Sequence, residues 1–241
     1  MLIDSPRLTE RDRQWWDEWI RADQVHSRTK EFRMRCEKTL GIIKEFISSG
    51  KPYFVAVSWG KDSVVLSHMF HKMGAQCKFV YVRNLAREPE GNIAVRDEFL
   101  KNYPLDYEEI CYNYADADET YYDKAGRPRK WQHILADLQK RYGCHVTGIR
   151  YDESAKRRRR FRVYGTETSN SFAPFRFMTV HDIFAYMWMC DLPIHPNYAM
   201  TGGGRWDKYR IRVAAVGNTE GDGMGRTEWE REYYPDILNK L

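Results

Sequence analysis

Six consecutive residues, Ser58-Trp59-Gly60-Lys61-Asp62-Ser63, gather two hydroxyls, a glycine, an ammonium and a carboxylate within two turns of chain. They follow the apolar run Tyr53–Val57 and precede a helical pattern. At such a strand-to-helix turn, unpaired backbone N–H groups and hydroxyls converge where an anion sits. Gly60 permits close backbone approach or a positive φ, Lys61 supplies a mobile positive charge, and Asp62 or Ser63 can cap the helix. Asp62 can instead help hold Mg²⁺, which takes oxygen ligands and shares them with phosphates. A Walker A loop is excluded, because Val55 stands where its first glycine belongs and Asp62 follows the lysine. The dinucleotide pattern GxGxxG is missing too. The plain structural alternative is a capped turn that carries an incidental lysine.

A second group lies downstream. Gly148 and Arg150 end a later apolar run, and Arg157, Arg158, Arg159 and Arg160 follow two helical turns on. On a helix through 153–162 these guanidinium groups spread around the circumference, so one or two at most face the first turn. The rest read as a solvated charge run. A further basic set, Arg205, Lys208, Arg210 and Arg212, follows Gly202-Gly203-Gly204; the glycines suit either a hinged lid or a mobile surface loop. The stretch Asn218–Arg226 misses the acid spacing of a calcium loop. His68 and His71 lie three apart on a helical pattern, with no Cys or carboxylate pair at ligand spacing. The five cysteines are widely spread and form no CxxC pair, so neither zinc nor an iron–sulfur cluster is expected.

These groups need a frame. Tyr53–Val57, Phe79–Val82, Tyr107–Cys111 and His145–Ile149 are short apolar runs, separated by helical patterns at 62–73, 93–101 and 131–141. Continuous apolar strands mark burial on both faces. Their alternation with helices predicts an α/β fold: an open, mostly parallel, twisted sheet with helices on both faces. Ligands of such sheets bind beyond the carboxyl ends of the strands, where Ser58–Ser63, Val82, Gly148 and Arg150 stand. Residues from about 9 to 47 read as helix, with Ser27 or Thr29 able to cap its start, and Trp15, Trp16 and Trp19 on a charged segment upstream. The expected organisation is an N-terminal helical extension (1–49), an α/β domain carrying the anion-binding turn (50–200), and an irregular Gly/Arg-rich extension (201–241) packing on that domain.

The chain has 241 residues, 42% hydrophobic and 30% charged, which describes a globular protein with a sizeable core. A net charge of +5 leans toward anionic partners, and the excess is local: seven Lys or Arg against two acids in 150–162. No apolar run approaches a membrane span and the first residues lack a signal core, so a cytoplasmic location is expected.

The SxGKDS turn after a buried strand resembles the signature of the PP-loop superfamily, the ATP pyrophosphatases or adenine nucleotide α-hydrolase-like proteins. Gly148-Ile149-Arg150-Tyr151-Asp152-Glu153-Ser154 is similar to the G-x-R-x-x-E-S segment of the phosphoadenosine phosphosulfate reductase branch. Ala173-Pro174-Phe175, Met178–Tyr186 and Leu192–Tyr198 resemble a third motif of that branch, which also includes the small subunit of ATP sulfurylase and phage or DNA-modification relatives. The resemblance covers roughly residues 50–200 and implies that they form a PP-loop nucleotide-binding domain. It implies an enzyme that cleaves ATP at the α-phosphate, releases pyrophosphate and passes AMP to an acceptor, with Mg²⁺ held in part by Asp62. Ser58, Trp59, Gly60, Lys61, Asp62 and Ser63 would hold the nucleotide, with Val82 beside adenine. Gly148, Arg150 and one of Arg157 or Arg158 would meet phosphate or sulfate. Lys61, expected to face solvent, would act in the chemistry with Asp62 and Arg150. The acceptor is a small oxyanion, a carboxylate or nucleobase carbonyl, or a nucleic acid, and the family leaves room for an oligomer or a partner subunit.

Three departures qualify the match. Trp59 replaces the second glycine of the common SGGKDS loop, Arg83-Asn84-Leu85 stands where an Asp-Thr-Gly-like turn is usual, and no cysteine follows Cys190. A thiolate nucleophile needs an exposed, electropositive setting, so the thiol route of the phosphosulfate reductases is disfavoured. Binding of phosphoadenosine phosphosulfate in the same turn remains the alternative enzyme reading. A nucleic-acid-associated protein with a regulatory nucleotide site is the alternative from another class, since the arginine run, eight tryptophans and sixteen tyrosines offer phosphate contacts and stacking.

Overall fold

A computed structural model describes residues 1–85, 88–112, 131–217 and 226–240. Five parallel strands form one sheet in the order β3-β2-β1-β4-β5: β1 Tyr53–Val57, β2 Lys78–Asn84, β3 Tyr107–Tyr112, β4 Cys144–Val146 and β5 Ser171–Phe172. β1 is central, with Val57 opposite Tyr81 on one side and Val55 opposite Val146 on the other. From β1 the chain winds outward through β2 and β3, then returns to lay β4 on the opposite side of β1. The topological switch point, and the crevice it opens, therefore lies between β1 and β4.

β1 is apolar throughout because both faces are covered. Val55 and Val57 face a large core with α3 (Lys61–Lys72), α4 (Asn92–Asn102) and α7 (Val180–Met189), whereas Phe54 faces a smaller cluster with Val80, Ile134 and Leu138 from α5 (Trp131–Tyr142). The expected doubly covered parallel sheet is what forms.

The first forty residues differ from the single helical reading. α1 (Glu10–Ser27) and α2 (Lys30–Ser48) are separate helices, because the Thr29 side chain accepts from the Phe32 N–H and starts a second one. α1 opens with a capping box between Thr9 and Asp12. Trp16 is buried and Trp15 exposed, so the aromatic cluster is partly a packing face. Buried Asp182 on α7 binds both helices, accepting two bonds from Arg35 and one contact from His26 Nε2.

The C-terminal segment is packed on α1 through several buried contacts. Gly202, Gly203 and Gly204 all have positive φ, and the turn they form is packed against α1 and Tyr233. The Gly202 N–H donates to Tyr233 Oη at 2.7 Å, and a Cβ on Gly203 would collide with the Arg11 side chain. Lys208 is fully buried against Asp23 among Trp16, Trp19, Phe184 and Tyr209. α8 (Arg226–Tyr233) and α9 (Pro235–Leu238) close the described chain, with Tyr233 Oη on buried Asp12. Most of the stretch 218–226 lies outside the described residues. No helix among the described residues is long and apolar enough to cross a membrane.

Candidate functional site

A cleft of about 540 Å³ opens at the switch point. Its floor is Ala56 and Val57 at the end of β1; Ser58, Asp62 and Ser63 form one wall, Thr147, Gly148 and Ile149 the other, and Tyr81 and Val82 an apolar side. Arg157 and Arg160 close it from α6 (Ala155–Tyr164), with Glu153 just before that helix and His145 and Ser171 alongside.

The turn after β1 is built by its own side chains. The Ser58 N–H donates to Ser63 Oγ at 3.1 Å, and Ser63 Oγ–H donates to the Gly60 carbonyl at 3.0 Å. The N-cap of α3 is therefore Gly60, with no side-chain cap; neither Asp62 nor Ser63 caps the helix as expected. The positive φ also falls elsewhere. Gly60 is extended, whereas Trp59 takes φ 58°. A left-handed tryptophan costs of order 1–3 kcal/mol. Its ring offsets that cost by full burial, about 5.7 Å from both Phe99 and Tyr107. Trp59 thus contributes backbone, not its ring, to the turn.

Lys61 does not face solvent. It is 6% exposed, its N–H donates to Tyr198 Oη at 3.2 Å, and its ammonium lies 3.2 Å from Asp62 and over the Tyr198 ring. Burial, with Arg150 nearby, pulls its pKa below the ordinary lysine value. The cover comes from Tyr198, in the short turn Pro196–Ala199.

Arg150 is buried and donates from Nη1 to Asp62 and from Nε to Asp152 at 2.9 Å. It does not terminate a strand: β4 stops at Val146, and Thr147–Arg150 run on as loop beside α3. Gly148 eases that approach, since a Cβ there would stand 3.1 Å from the Asp62 carbonyl oxygen and press the two loops slightly apart. Both carboxylate oxygens of Asp62 are engaged, one by Arg150 and one by Lys61. Asp62 still lines the cleft, so a Mg²⁺ there would share its oxygens with Arg150 and Lys61 and take its other ligands from nucleotide phosphates and water; no cluster of three or more His, Cys, Asp or Glu suited to a metal occurs among the described residues.

Of the four consecutive arginines, two face the cleft. Arg157 and Arg160 are one helical turn apart, whereas Arg158 and Arg159 are exposed. Glu153 meets Arg157 at 3.5 Å and accepts from the Arg150 N–H. Burial, with Arg157 alongside, lowers the pKa of Arg160. Burial, with Arg160 alongside, pushes His145 down to about 4. Like charges crowded at one cleft mouth are relieved by an anion.

Ser58, Asp62, Ser63, Val82, Gly148 and Arg157 therefore meet around one space, with Arg150, Lys61 and Gly60 supporting them from behind. Sequence reasoning missed Arg160, although its spacing of three from Arg157 carried the signal. It also gave no role to Tyr198, which anchors Lys61, or to His145, an ordinary apolar-run residue until the fold places Arg160 beside it.

Residues 52–202 match the family model described as phosphoadenosine phosphosulfate reductase domain. No curated protein matches. Among solved structures, the chain is similar to NMN synthetase from Francisella tularensis, at 11% identity, 67% of this chain, 71% of that chain and a TM-score of 0.48. It is also similar to NAD+ synthetase from Burkholderia pseudomallei, at 12% identity, 94% of this chain, 89% of that chain and a TM-score of 0.43. With the family model spanning more than half of its length, the chain belongs to the phosphoadenosine phosphosulfate reductase domain family, within the PP-loop proteins.

Proposed function

We propose that the cleft binds ATP and that the protein transfers its AMP part to an acceptor. The observation that carries the reading is one continuous space in which Ser58 and Ser63 stand opposite Arg157 and Arg160, with Tyr81 and Val82 at its side. Adenine fits the apolar side, and the phosphates fit the hydroxyls and the first turn of α3, whose N–H groups lack intrahelical acceptors. An acceptor oxygen attacks the α-phosphorus, the bond to the β-phosphate bridge breaks, and pyrophosphate leaves. Donors fixed before the reaction around the departing charge lower the barrier most. Lys61 supports this by holding Asp62 and the turn, and its positive charge adds to the field behind the pyrophosphate. Mg²⁺ enters as part of the nucleotide substrate.

The test is ATP–pyrophosphate exchange, measured alone and with sulfate, tRNA or DNA, with identification of the adenylated product. Exchange above background supports the reading, and its absence with every acceptor removes it. The family match favours a second reading, phosphoadenosine phosphosulfate in the same cleft. Calorimetric titration with both nucleotides separates the two. Among the described residues no cysteine lines the cleft, and burial holds the Cys190 thiol above its ordinary pKa. Cys190→Ser should accordingly leave turnover nearly unchanged; a large loss would revive thiol chemistry.

A further inference from the structure

α6 has two faces, and the cleft uses one. Lys156, Arg158, Arg159 and Arg162 all lie exposed on the other. Among the described residues, Lys156, Arg158 and Arg159 have no side-chain ion pair or hydrogen bond, and Arg162 reaches only the Tyr151 hydroxyl. The acids nearby are committed elsewhere: Asp152 to Arg150, Glu153 to Arg157, Glu167 to Lys51. The helix carries no acid of its own.

This arrangement is unfavourable in isolation. Lys156, Arg159 and Arg162 follow one another at three-residue steps, and Arg158 and Arg162 at four, so like charges share the surface and destabilise the helix. The same helix ends in Tyr164, 62% exposed, and Val163, 63% exposed. Closely spaced guanidinium groups with an open aromatic ring match a chain of phosphates carrying planar bases. A single small oxyanion needs one or two such groups, and Arg157 and Arg160 already provide them in the cleft.

We infer that the outward face of α6 binds the sugar–phosphate backbone of a polynucleotide and presents it at the mouth of the cleft. Its role as the acceptor rests on the reading of the cleft given above; the binding surface itself does not. The phosphate spacing is common to DNA and RNA, single or paired, and the experiment separates these sources.

The full chain is titrated with fluorescent single-stranded DNA, duplex DNA and single-stranded RNA over a range of salt, and ATP affinity is measured separately by calorimetry. Binding to at least one of them is expected, with log Kd rising with log salt at a slope of roughly 2–4, as for about four phosphate contacts. The double variant Arg158→Glu, Arg159→Glu should weaken it at least about tenfold and cut the slope by about 2, while Arg158→Lys, Arg159→Lys retains most of it. ATP affinity should be the same in all three proteins, which also reports that the fold is intact. Salt-insensitive binding, binding unchanged in the glutamate variant, or binding to phosphatidylserine vesicles with none to any oligonucleotide would each overturn the inference. Oligonucleotide binding with no ATP binding in the unaltered protein would remove the cleft reading and leave the α6 surface standing.

Discussion

Arg150 and Asp62 join the two loops that make the cleft. The guanidinium, in the loop after β4, donates to the carboxylate at the second position of α3, across the switch point of the sheet. The same Arg150 holds Asp152, whose other oxygen accepts from the Val180 N–H at the start of α7. One side chain thus fixes the distance between the turn that would hold phosphate and the loop that leads to Arg157.

Arg150→Gln should therefore act on both activity and stability. It leaves Asp62 with Lys61 as its remaining partner, so the loss is that of charge-assisted hydrogen bonds at a partly buried carboxylate, about 1.5–3 kcal/mol. Urea denaturation measures that loss, and pyrophosphate exchange on the folded fraction should fall at least roughly a hundredfold, as expected when preorganised geometry is lost. Unchanged exchange would show that the loops hold their spacing without it.

Lys61 calls for two variants because it is buried. Lys61→Ala removes charge and packing together, so it should lower both stability and turnover. Lys61→Met keeps most of the volume and loses only the charge. Its melting temperature should stay within a few degrees of the original, while nucleotide turnover drops about a hundredfold. Equal turnover in the methionine variant would confine Lys61 to a packing role.

Trp59→Gly opposes two effects. The glycine relieves about 1–3 kcal/mol of left-handed strain, but an indole lost from the core costs roughly 3–5 kcal/mol. Burial wins, so the variant should be less stable by about 2 kcal/mol by chemical denaturation. A variant more stable than the parent would mean that the ring contributes little to the core.

Acid should destabilise the protein well above the carboxylate range. Burial holds His68 down to about 4 and His195 to about 3, against an ordinary value near 6.5. Above pH 6.5 both are neutral whether folded or not, and their contribution is complete. Below it the unfolded chain takes up protons that the folded chain refuses, so stability falls with falling pH until the folded values are reached. Each histidine contributes roughly 1.4 kcal/mol per pH unit across that window. Urea midpoints at pH 7, 6 and 5 measure the slope. His195→Asn keeps an acceptor for the Asn197 N–H, which His195 Nδ1 now receives, and should flatten the slope by about one proton.

A large part of this molecule follows from residue order alone. Buried strands show as unbroken apolar runs, so Tyr53–Val57 and its successors announced a parallel sheet, and the SxGKDS turn marked residues that line the cleft. Both are local properties, carried by composition and by a few neighbouring residues. β5 escaped because two residues hold no period. The burial of Lys61 escaped because it depends on Tyr198, far along the chain. The choice of Arg157 and Arg160 over Arg158 and Arg159 needed the angle at which α6 crosses the cleft. Local chemistry was written in the sequence; which charges face the cleft, which face each other and which face water was settled only by long-range packing, since burial and charge pairing depend on distances that chain order does not contain.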